Sequence, residues 1–456
     1  MHMPTLLLIS VLVLNMGFMF IVIFAQRRNT AATWAWMVAV AILPIAGFVV
    51  YMIFGQDSRK QKVFLAKSDN DDELHDTYKE MSLGADEGDT TEDNHITLYH
   101  DGNTKFGAIL EDIANAKEYI FIQYYILRGD DVGRHLVREL AKKAEQGVEV
   151  RLLLDGMGCT FTPKDTFQPL LDTGGKLGLF LPPVPVRINF RNHRKLAVID
   201  GAVAYIGGSN IGKEYLGMGE LGNWRDTHMR LTGGAVSPIL LRFIMDWNFA
   251  SEDKMDVLPE YFAANVADTA DARAGSKVTI ISSGPDTSYP NVLHAFCQMI
   301  MGAKKSIYIQ TPYFVPDDAL FTCIRIAALS GIDVRIMYPA NPDHPFVYWA
   351  SSSFIGELMC AGVKGYAYTN GFLHCKTLMV DSKICAVGTA NMDVRSFKIN
   401  FETHAFIEDE AVTKQLEDAF FRDVAESREL TLDGYNNRPR LIKVRESVSR
   451  LFSPLL

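Results

Sequence analysis

His193-Arg194-Lys195-Leu196-Ala197-Val198-Ile199-Asp200 and His374-Cys375-Lys376-Thr377-Leu378-Met379-Val380-Asp381 share one spacing, H-x-K-x4-D, and each runs into a turn signal, Gly201 in one copy and Ser382 in the other. The residues between Lys and Asp are apolar and partly β-branched, which reads as a buried strand. A two-residue turn at Asp200-Gly201 and another at Asp381-Ser382 then send the chain back as a hairpin. That register sets His193 opposite Gly208 with Asn210 just beyond, and His374 opposite Thr389 with Asn391 just beyond. Side chains alternate along a strand, so His193 and Lys195 share a face while Asp200 points to the other. Each half therefore brings one His, one Lys and one Asn to a common spot, and Asp200 and Asp381 support it structurally.

Working outward, Ala116-Lys117-Glu118-Tyr119-Ile120-Phe121-Ile122-Gln123 aligns with Ala303-Lys304-Lys305-Ser306-Ile307-Tyr308-Ile309-Gln310, an internal repeat. Gly147-Val148-Glu149-Val150-Arg151 and Gly331-Ile332-Asp333-Val334-Arg335 keep the two halves in step, each a glycine helix stop leading into a strand. Strands alternating with helical patterns predict α/β lobes with largely parallel sheets, one for each half of the repeat. The Ala/Asp/Gly-rich stretch 263–275 reads as the connector, dividing a first lobe, 97–267, from a second, 268–435.

Two Lys and two Asn offer positive charge and donors to a phosphodiester, and two His offer a nucleophile and an acid/base. The expected catalytic set is His193, Lys195, Asp200, His374, Lys376 and Asp381, with Lys195, Asn210, Lys376 and Asn391 binding the substrate phosphate. Each imidazole also calls for a carboxylate to fix its tautomer. Asp226, in Trp224-Arg225-Asp226-Thr227-His228, and Glu402, in Asn400-Phe401-Glu402-Thr403-His404, stand at similar remove downstream of the two histidines. No metal and no cofactor is expected, because lysines on the strand face of the histidines would repel a divalent ion.

Toward the N-terminus, residues 5–25 and 34–54 carry no charge and are each long enough to span a bilayer core, predicting a transmembrane hairpin over residues 1–56. Arg27 and Arg28 in the link, against Arg59, Lys60, Lys62 and Lys67 after the second span, place the catalytic portion on the cytoplasmic side. Six cysteines without a C-x-x-C pair read as free thiols, in agreement. The formal net charge of −9 is concentrated in residues 69–93, where Lys79 faces a run of Asp and Glu, so residues 57–96 read as a solvated acidic linker. At the other end, Leu441, Val444, Val448, Leu451 and Leu455 recur at helical spacing beside Lys443, Arg445 and Arg450, predicting an amphipathic tail over 436–456.

The paired H-x-K-x4-D motifs resemble the signature of the phospholipase D superfamily. Arg191-Asn192-His193-Arg194-Lys195, Gly207-Gly208-Ser209-Asn210-Ile211-Gly212, Thr311-Pro312-Tyr313-Phe314-Val315-Pro316, Asn391-Met392-Asp393-Val394-Arg395-Ser396-Phe397 and the terminal Ser453-Pro454-Leu455-Leu456 are similar to the bacterial cardiolipin synthases within it. The resemblance covers residues 94–456 and the N-terminal hairpin. It implies an α/β protein of two pseudo-symmetric α/β/α lobes with the active site between them, a membrane-embedded phosphatidyltransferase, metal-independent, acting through a phosphohistidine with His193 as nucleophile. Its implied substrate is phosphatidylglycerol, two molecules giving cardiolipin and glycerol. A hydrolytic phospholipase D would share the same site residues and let water attack instead. A nucleic-acid partner is disfavoured, because no basic, aromatic-interleaved tract is present.

Overall fold

Tyr119–Tyr124 buries all six of its side chains, and alternation sends Tyr119 and Phe121 into one hydrophobic core and Ile120, Ile122 and Tyr124 into another. Ser306–Gln310 does the same in the second half, with Tyr308 on one side and Ile307 and Ile309 on the other. A strand buried on both faces is the central layer of a helix–sheet–helix sandwich. The computed structural model describes residues 30–42, 62–81, 90–182, 189–262 and 275–453, with positions 10, 13, 17, 47 and 51. The expected connector at 263–275 and the first expected span, 5–25, therefore fall almost wholly outside the described residues.

In the first lobe, β1 (Thr90–Asp101), β2 (Tyr119–Tyr124), β3 (Glu149–Asp155), β4 (Lys176–Phe180), β5 (Leu196–Ile199), β6 (Val203–Gly207) and β7 (Trp224–Thr232) lie in the order β1-β7-β6-β5-β2-β3-β4. The second lobe contains β8 (Ser276–Ser283), β9 (Ser306–Gln310), β10 (Phe314–Val315), β11 (Asp333–Pro339), β12 (Lys364–Tyr368), β13 (Phe372–Leu373), β14 (Thr377–Val380), β15 (Ile384–Gly388), β16 (Met392–Asp393), β17 (Glu402–Glu408) and β18 (Ser427–Glu429). Its order, β8-β17-β15-β14-β9-β11-β12-β18, repeats the first permutation with β18 added at the edge. Antiparallel pairing of β1 with β8 fuses the half-sheets.

The sheet is mixed rather than largely parallel. Parallel pairing holds among β2, β3 and β4 and among β9, β11 and β12, where helices cross over. The hairpins that carry the motifs, and the strands between them, pair antiparallel. The hairpin turns are also one residue longer than expected. Ile199 pairs with Val203 and Val380 with Ile384, so three residues make each loop. At the start of each loop Asp200 and Asp381 adopt positive φ, 51° and 56°, which Asp tolerates better than most residues. From there the Asp200 carboxylate accepts the N–H groups of Lys117, Glu118 and Tyr119 at 2.7–2.9 Å, and Asp381 those of Lys304, Lys305 and Ser306 at the same range.

The acidic stretch holds regular structure where a solvated linker was expected. Residues 62–81 form a helix, Lys62–Met81, and Thr90–Asp101 is a strand of the sheet. The helix packs on Val236–Ala250 and buries Phe64 against Phe190 and Phe401, ring centroids 5.0 and 5.8 Å apart. Its Lys67 is buried among Asp71 (2.5 Å), Asp286 (3.0 Å) and Asp246 (3.3 Å), and Arg242 meets Asp71 at 2.9 Å. The other acids of this stretch among the described residues face solvent.

At the N-terminal end, Thr30–Ile42 is helical, with Trp34, Val38 and Ile42 exposed. Among the described residues no helix is long and apolar enough to cross a membrane. The expected tail helix is present as Arg440–Leu451, packed on Pro345–Met359. It is turned so that Glu446 and Ser449 are buried while Leu441, Val444, Val448 and Leu451 point outward.

Candidate active site

The segment leading into β5 leaves its own lobe. His193 N–H donates to the carbonyl of Phe401 (3.0 Å) and Phe401 N–H to that of Arg191 (2.8 Å), so Asn192 bridges to the strand end that begins β17. β13 mirrors this by pairing parallel with β7, with His374 N–H donating to the Arg225 carbonyl at 2.7 Å. Each motif histidine is thus laid beside the carboxylate of the opposite lobe. His193 Nδ1 lies 2.9 and 3.1 Å from the two Glu402 oxygens, and His374 Nδ1 lies 2.6 Å from Asp226 Oδ2.

The carboxylates are ionised and fixed. Burial opposes their charge, but His193 and Lys195 hold Glu402, and His374 and Lys376 hold Asp226, below the usual carboxylate range. Thr389 donates its hydroxyl to Glu402 at 2.5 Å, and Thr227 N–H donates to Asp226 at 2.7 Å. An ionised carboxylate accepts, so each Nδ1 carries the proton and each Nε2 is left for the cleft. Burial, reinforced by the neighbouring lysines and opposed by the paired carboxylate, brings both imidazoles down to about 4. Both are neutral near pH 7, so the Nε2 lone pair is free for nucleophilic attack.

Lys195 and Lys376 lie beneath the histidines, both buried, each Nζ donating to the carbonyl of its own motif histidine at 2.6 Å. Burial, opposed by Glu402 at Lys195 and by Asp226 at Lys376, holds both ammonium groups below the usual lysine range, and the Lys376 charge adds to the effect at Lys195. Asn210 accepts from Ile126 N–H (3.1 Å) and donates to the Tyr215 hydroxyl (3.0 Å), while Asn391 donates to Asp393 at 3.2 Å. The Oδ1 atoms of Asn391 and Asn400 are buried without a hydrogen-bond partner on the wall of the cleft. Asp200 and Asp381 stand apart, their oxygens occupied by backbone at the far ends of β5 and β14. Of the expected set, His193, His374, Asn210 and Asn391 line one cavity of about 800 Å³, while Lys195, Lys376, Asp226 and Glu402 do not line it and touch it through the two histidines they bond. Among the described residues no cluster of His, Cys, Asp or Glu could hold a metal ion.

Sequence reasoning missed several lining residues. Tyr125 sets its ring edge-on to His193 (5.0 Å) under the Lys195 ammonium (5.4 Å), and Trp224 packs on His374 at 5.4 Å. Extending the internal repeat two or three residues past Gln123 and Gln310 would have reached Tyr125 and Tyr313, which line the cleft from the two lobes. A buried cation also sits under each histidine, supplied from different strands. Arg194, between the first motif's His and Lys, pairs with Asp246 at 2.5 Å beneath the Phe401 ring. In the second motif that position is Cys375, and Arg225 of β7 fills the space, 3.3 Å from its sulfur and 2.9 Å from Asp423.

Residues 109–221 and 296–424 match the family model described as cardiolipin synthase, phospholipase D-like domain, and residues 13–56 match that described as phospholipase D-nuclease N-terminal. The chain is 44% identical to a cardiolipin synthase of Listeria welshimeri, over 99% of each chain. It is 42% identical to cardiolipin synthase 2 of Staphylococcus epidermidis, over 99% of this chain and 98% of that one. Among solved structures it resembles phosphatidylserine synthase of Haemophilus influenzae, at a TM-score of 0.61 and 16% identity over 79% of this chain and 95% of that one, a likeness of fold. With both halves of the repeat inside the first of these matches and full-length identity to two relatives, the chain belongs to the cardiolipin synthase family of phospholipase D-like proteins.

Proposed function

We propose that the chain is a cardiolipin synthase, which transfers the phosphatidyl group of one phosphatidylglycerol to a second and releases glycerol. One observation carries this: two imidazoles, each held through Nδ1 by an ionised carboxylate, face a single polar cavity. In the first step His193 Nε2 bonds to phosphorus and the bond to the glycerol oxygen breaks, while His374, protonated at Nε2 once the anionic phosphodiester lies beside it and balanced by Asp226, gives that proton to the glycerol oxygen and is left neutral. In the second, a glycerol hydroxyl of the incoming lipid passes its proton to His374 and attacks phosphorus, and the bond to His193 breaks. Lys195, Lys376, Asn210 and Asn391 stabilise the charge gathered on the phosphoryl oxygens. Asp226 and Glu402 keep the ring orientation and balance each imidazolium as it forms.

The enzyme works at a membrane. Residues 5–25 and 34–54 anchor it as two spans with the catalytic lobes on the cytoplasmic side, an assignment supported by their uncharged length and by the flanking Lys and Arg. The outward stripe of helix Arg440–Leu451 adds an interfacial contact. Phe452 next to it meets Phe346, in the first turn of the helix Pro345–Met359 whose Val347 lines the cleft, so the exposed apolar patch borders the way in. Incubating the purified protein with labelled phosphatidylglycerol and separating the lipids tests the proposal. Cardiolipin with equimolar glycerol is expected; phosphatidic acid as the sole labelled product would make it a hydrolase.

A further inference from the structure

The reaction brings two anionic lipids to one cleft. One phosphodiester reacts. The other, on the acceptor, stays intact and must be held while its hydroxyl attacks.

Arg191 and Arg395 line the cavity, one from each lobe, and neither meets a carboxylate within salt-bridge distance among the described residues. Arg191 donates from Nη1 to the carbonyl of Phe190. Arg395 donates from Nη1 and Nη2 to the side-chain and main-chain oxygens of Asn189, both at 2.8 Å. A guanidinium has five N–H donors, so most of those on Arg191 and several on Arg395 remain for a ligand. Asp155, the carboxylate whose field reaches Arg191, has its oxygens on the N–H groups of Met157, Gly158 and Asn192 at 2.8–2.9 Å. Burial and then the like charge of Arg395 hold Arg191 below the usual arginine range, so the two cations sense each other. Arg128, by contrast, lines the same cavity already paired to Glu214 at 2.7 Å. Two like cations with only Asp155, whose oxygens are already taken up by backbone N–H groups, to offset them are costly to hold together unless an anion completes them, and paired guanidiniums match the oxygens of a phosphodiester. Of the remaining acids on the wall, Asp393 has its oxygens on Ser396 N–H and the Asn391 amide (2.6 and 3.2 Å), while Glu220 and Asp343 would repel an anion from their side.

We infer that Arg191 and Arg395 together hold the intact phosphodiester of the acceptor lipid. This rests on the proposed transfer between two phosphatidylglycerols. No bond changes at the held phosphate. The acceptor hydroxyl gives its proton to His374 and its oxygen to the phosphorus on His193, while the arginine-bound group stays a diester.

The test compares two acceptors in one reaction. The full-length enzyme in mixed micelles is given phosphatidylglycerol and radiolabelled glycerol, and cardiolipin formation is measured beside incorporation of label into phosphatidylglycerol. Both products come from the same phosphohistidine, but glycerol carries no phosphate. In Arg191→Gln and in Arg395→Gln the ratio of cardiolipin to exchanged glycerol should fall at least tenfold, with Arg191→Lys and Arg395→Lys lying between these and the wild type. A ratio equal to the wild type's, with both products falling together, overturns the assignment and places the arginines with the donor phosphate or the fold. Should a glutamine variant not fold, its lysine counterpart decides, and a wild-type ratio there overturns it equally. A wild-type enzyme that exchanges glycerol but makes no cardiolipin refutes the functional proposal itself, a separate result.

Discussion

His193 shares its Nδ1 proton with Glu402, 209 residues along the chain and in the other lobe, and His374 does the same with Asp226, 148 residues back. The two lobes therefore cannot separate without stripping both imidazoles of their carboxylates. The crossing makes a specific claim about which acid serves which base. Glu402→Gln should reproduce the phenotype of His193→Ala in direction, and Asp226→Asn that of His374→Ala, each with a loss of about 10²-fold or more in kcat. Steady-state rates with a poor and a good leaving group check this. If Asp226→Asn abolished attack on phosphorus while Glu402→Gln left it intact, the crossed pairs would not function as pairs.

Lys195 and Lys376 reach the carbonyls of their own histidines, both of which line the cavity, at 2.6 Å. Replacing Lys195, Lys376, Asn210 or Asn391 by Ala should each remove about 2–4 kcal/mol of transition-state stabilisation, seen mainly in kcat. A wild-type kcat/KM in any of the four would remove that residue from the phosphate site.

Lys67 ties helix Lys62–Met81 to the network that ends at the active site, since Asp246 beside it also pairs with Arg194, the neighbour of His193. Lys67→Met would leave three buried carboxylates short of a cation, and removal of one partner from such a cluster costs about 3–5 kcal/mol. The expected outcome is a marked drop in the temperature of half-inactivation. A solvated linker, the form suggested by the acidic composition, would tolerate the change without effect.

The hairpins and the repeat were legible because their signals are local. Apolar β-branched runs between Lys and Asp, a turn dipeptide after them, and the same offsets twice in one chain leave few alternatives. The crossed carboxylates were not legible, since the offsets from His193 to Asp226 and from His374 to Glu402 suit pairing within a lobe equally well. Nor was the third loop residue. Asp200 and Asp381 each gather three N–H groups from the strand alongside, a tertiary demand that Asp-Gly chemistry alone does not express. Charge counting misread residues 62–81 for a related reason. Lys67 and Asp71, four residues apart on one helical face, are the two that turn inward, and their partners Arg242, Asp246 and Asp286 lie far along the chain.

The tail helix offers a test of the membrane face. Leu441, Val444, Val448 and Leu451 are all exposed, so changing the four to Ser should leave stability nearly untouched. Turnover of phosphatidylglycerol in vesicles should fall several-fold, and turnover in detergent micelles should not. Equal rates in vesicles and micelles would assign the stripe no interfacial role.

The sharpest prediction concerns the two histidines, with His193 attacking phosphorus and His374 protonating the departing glycerol oxygen. The division is a chemical requirement, because an alkoxide leaves poorly without an acid and one imidazole cannot attack and protonate from opposite sides of one phosphorus. His374→Ala should still form a phosphohistidine from a nitrophenyl ester, whose leaving group needs no proton, whereas His193→Ala should form none. The pH dependence follows from burial. The attacking form of His193 is neutral, and burial opposed by Glu402 brings its pKa down to about 4, so kcat/KM of His374→Ala on the ester should hold as pH falls from 7 and decline only near 4. An ordinary exposed histidine would begin to lose activity near 6.5. Acid quench and mass spectrometry locate the adduct, and finding it on His374 with His193 unmodified would reverse the two roles.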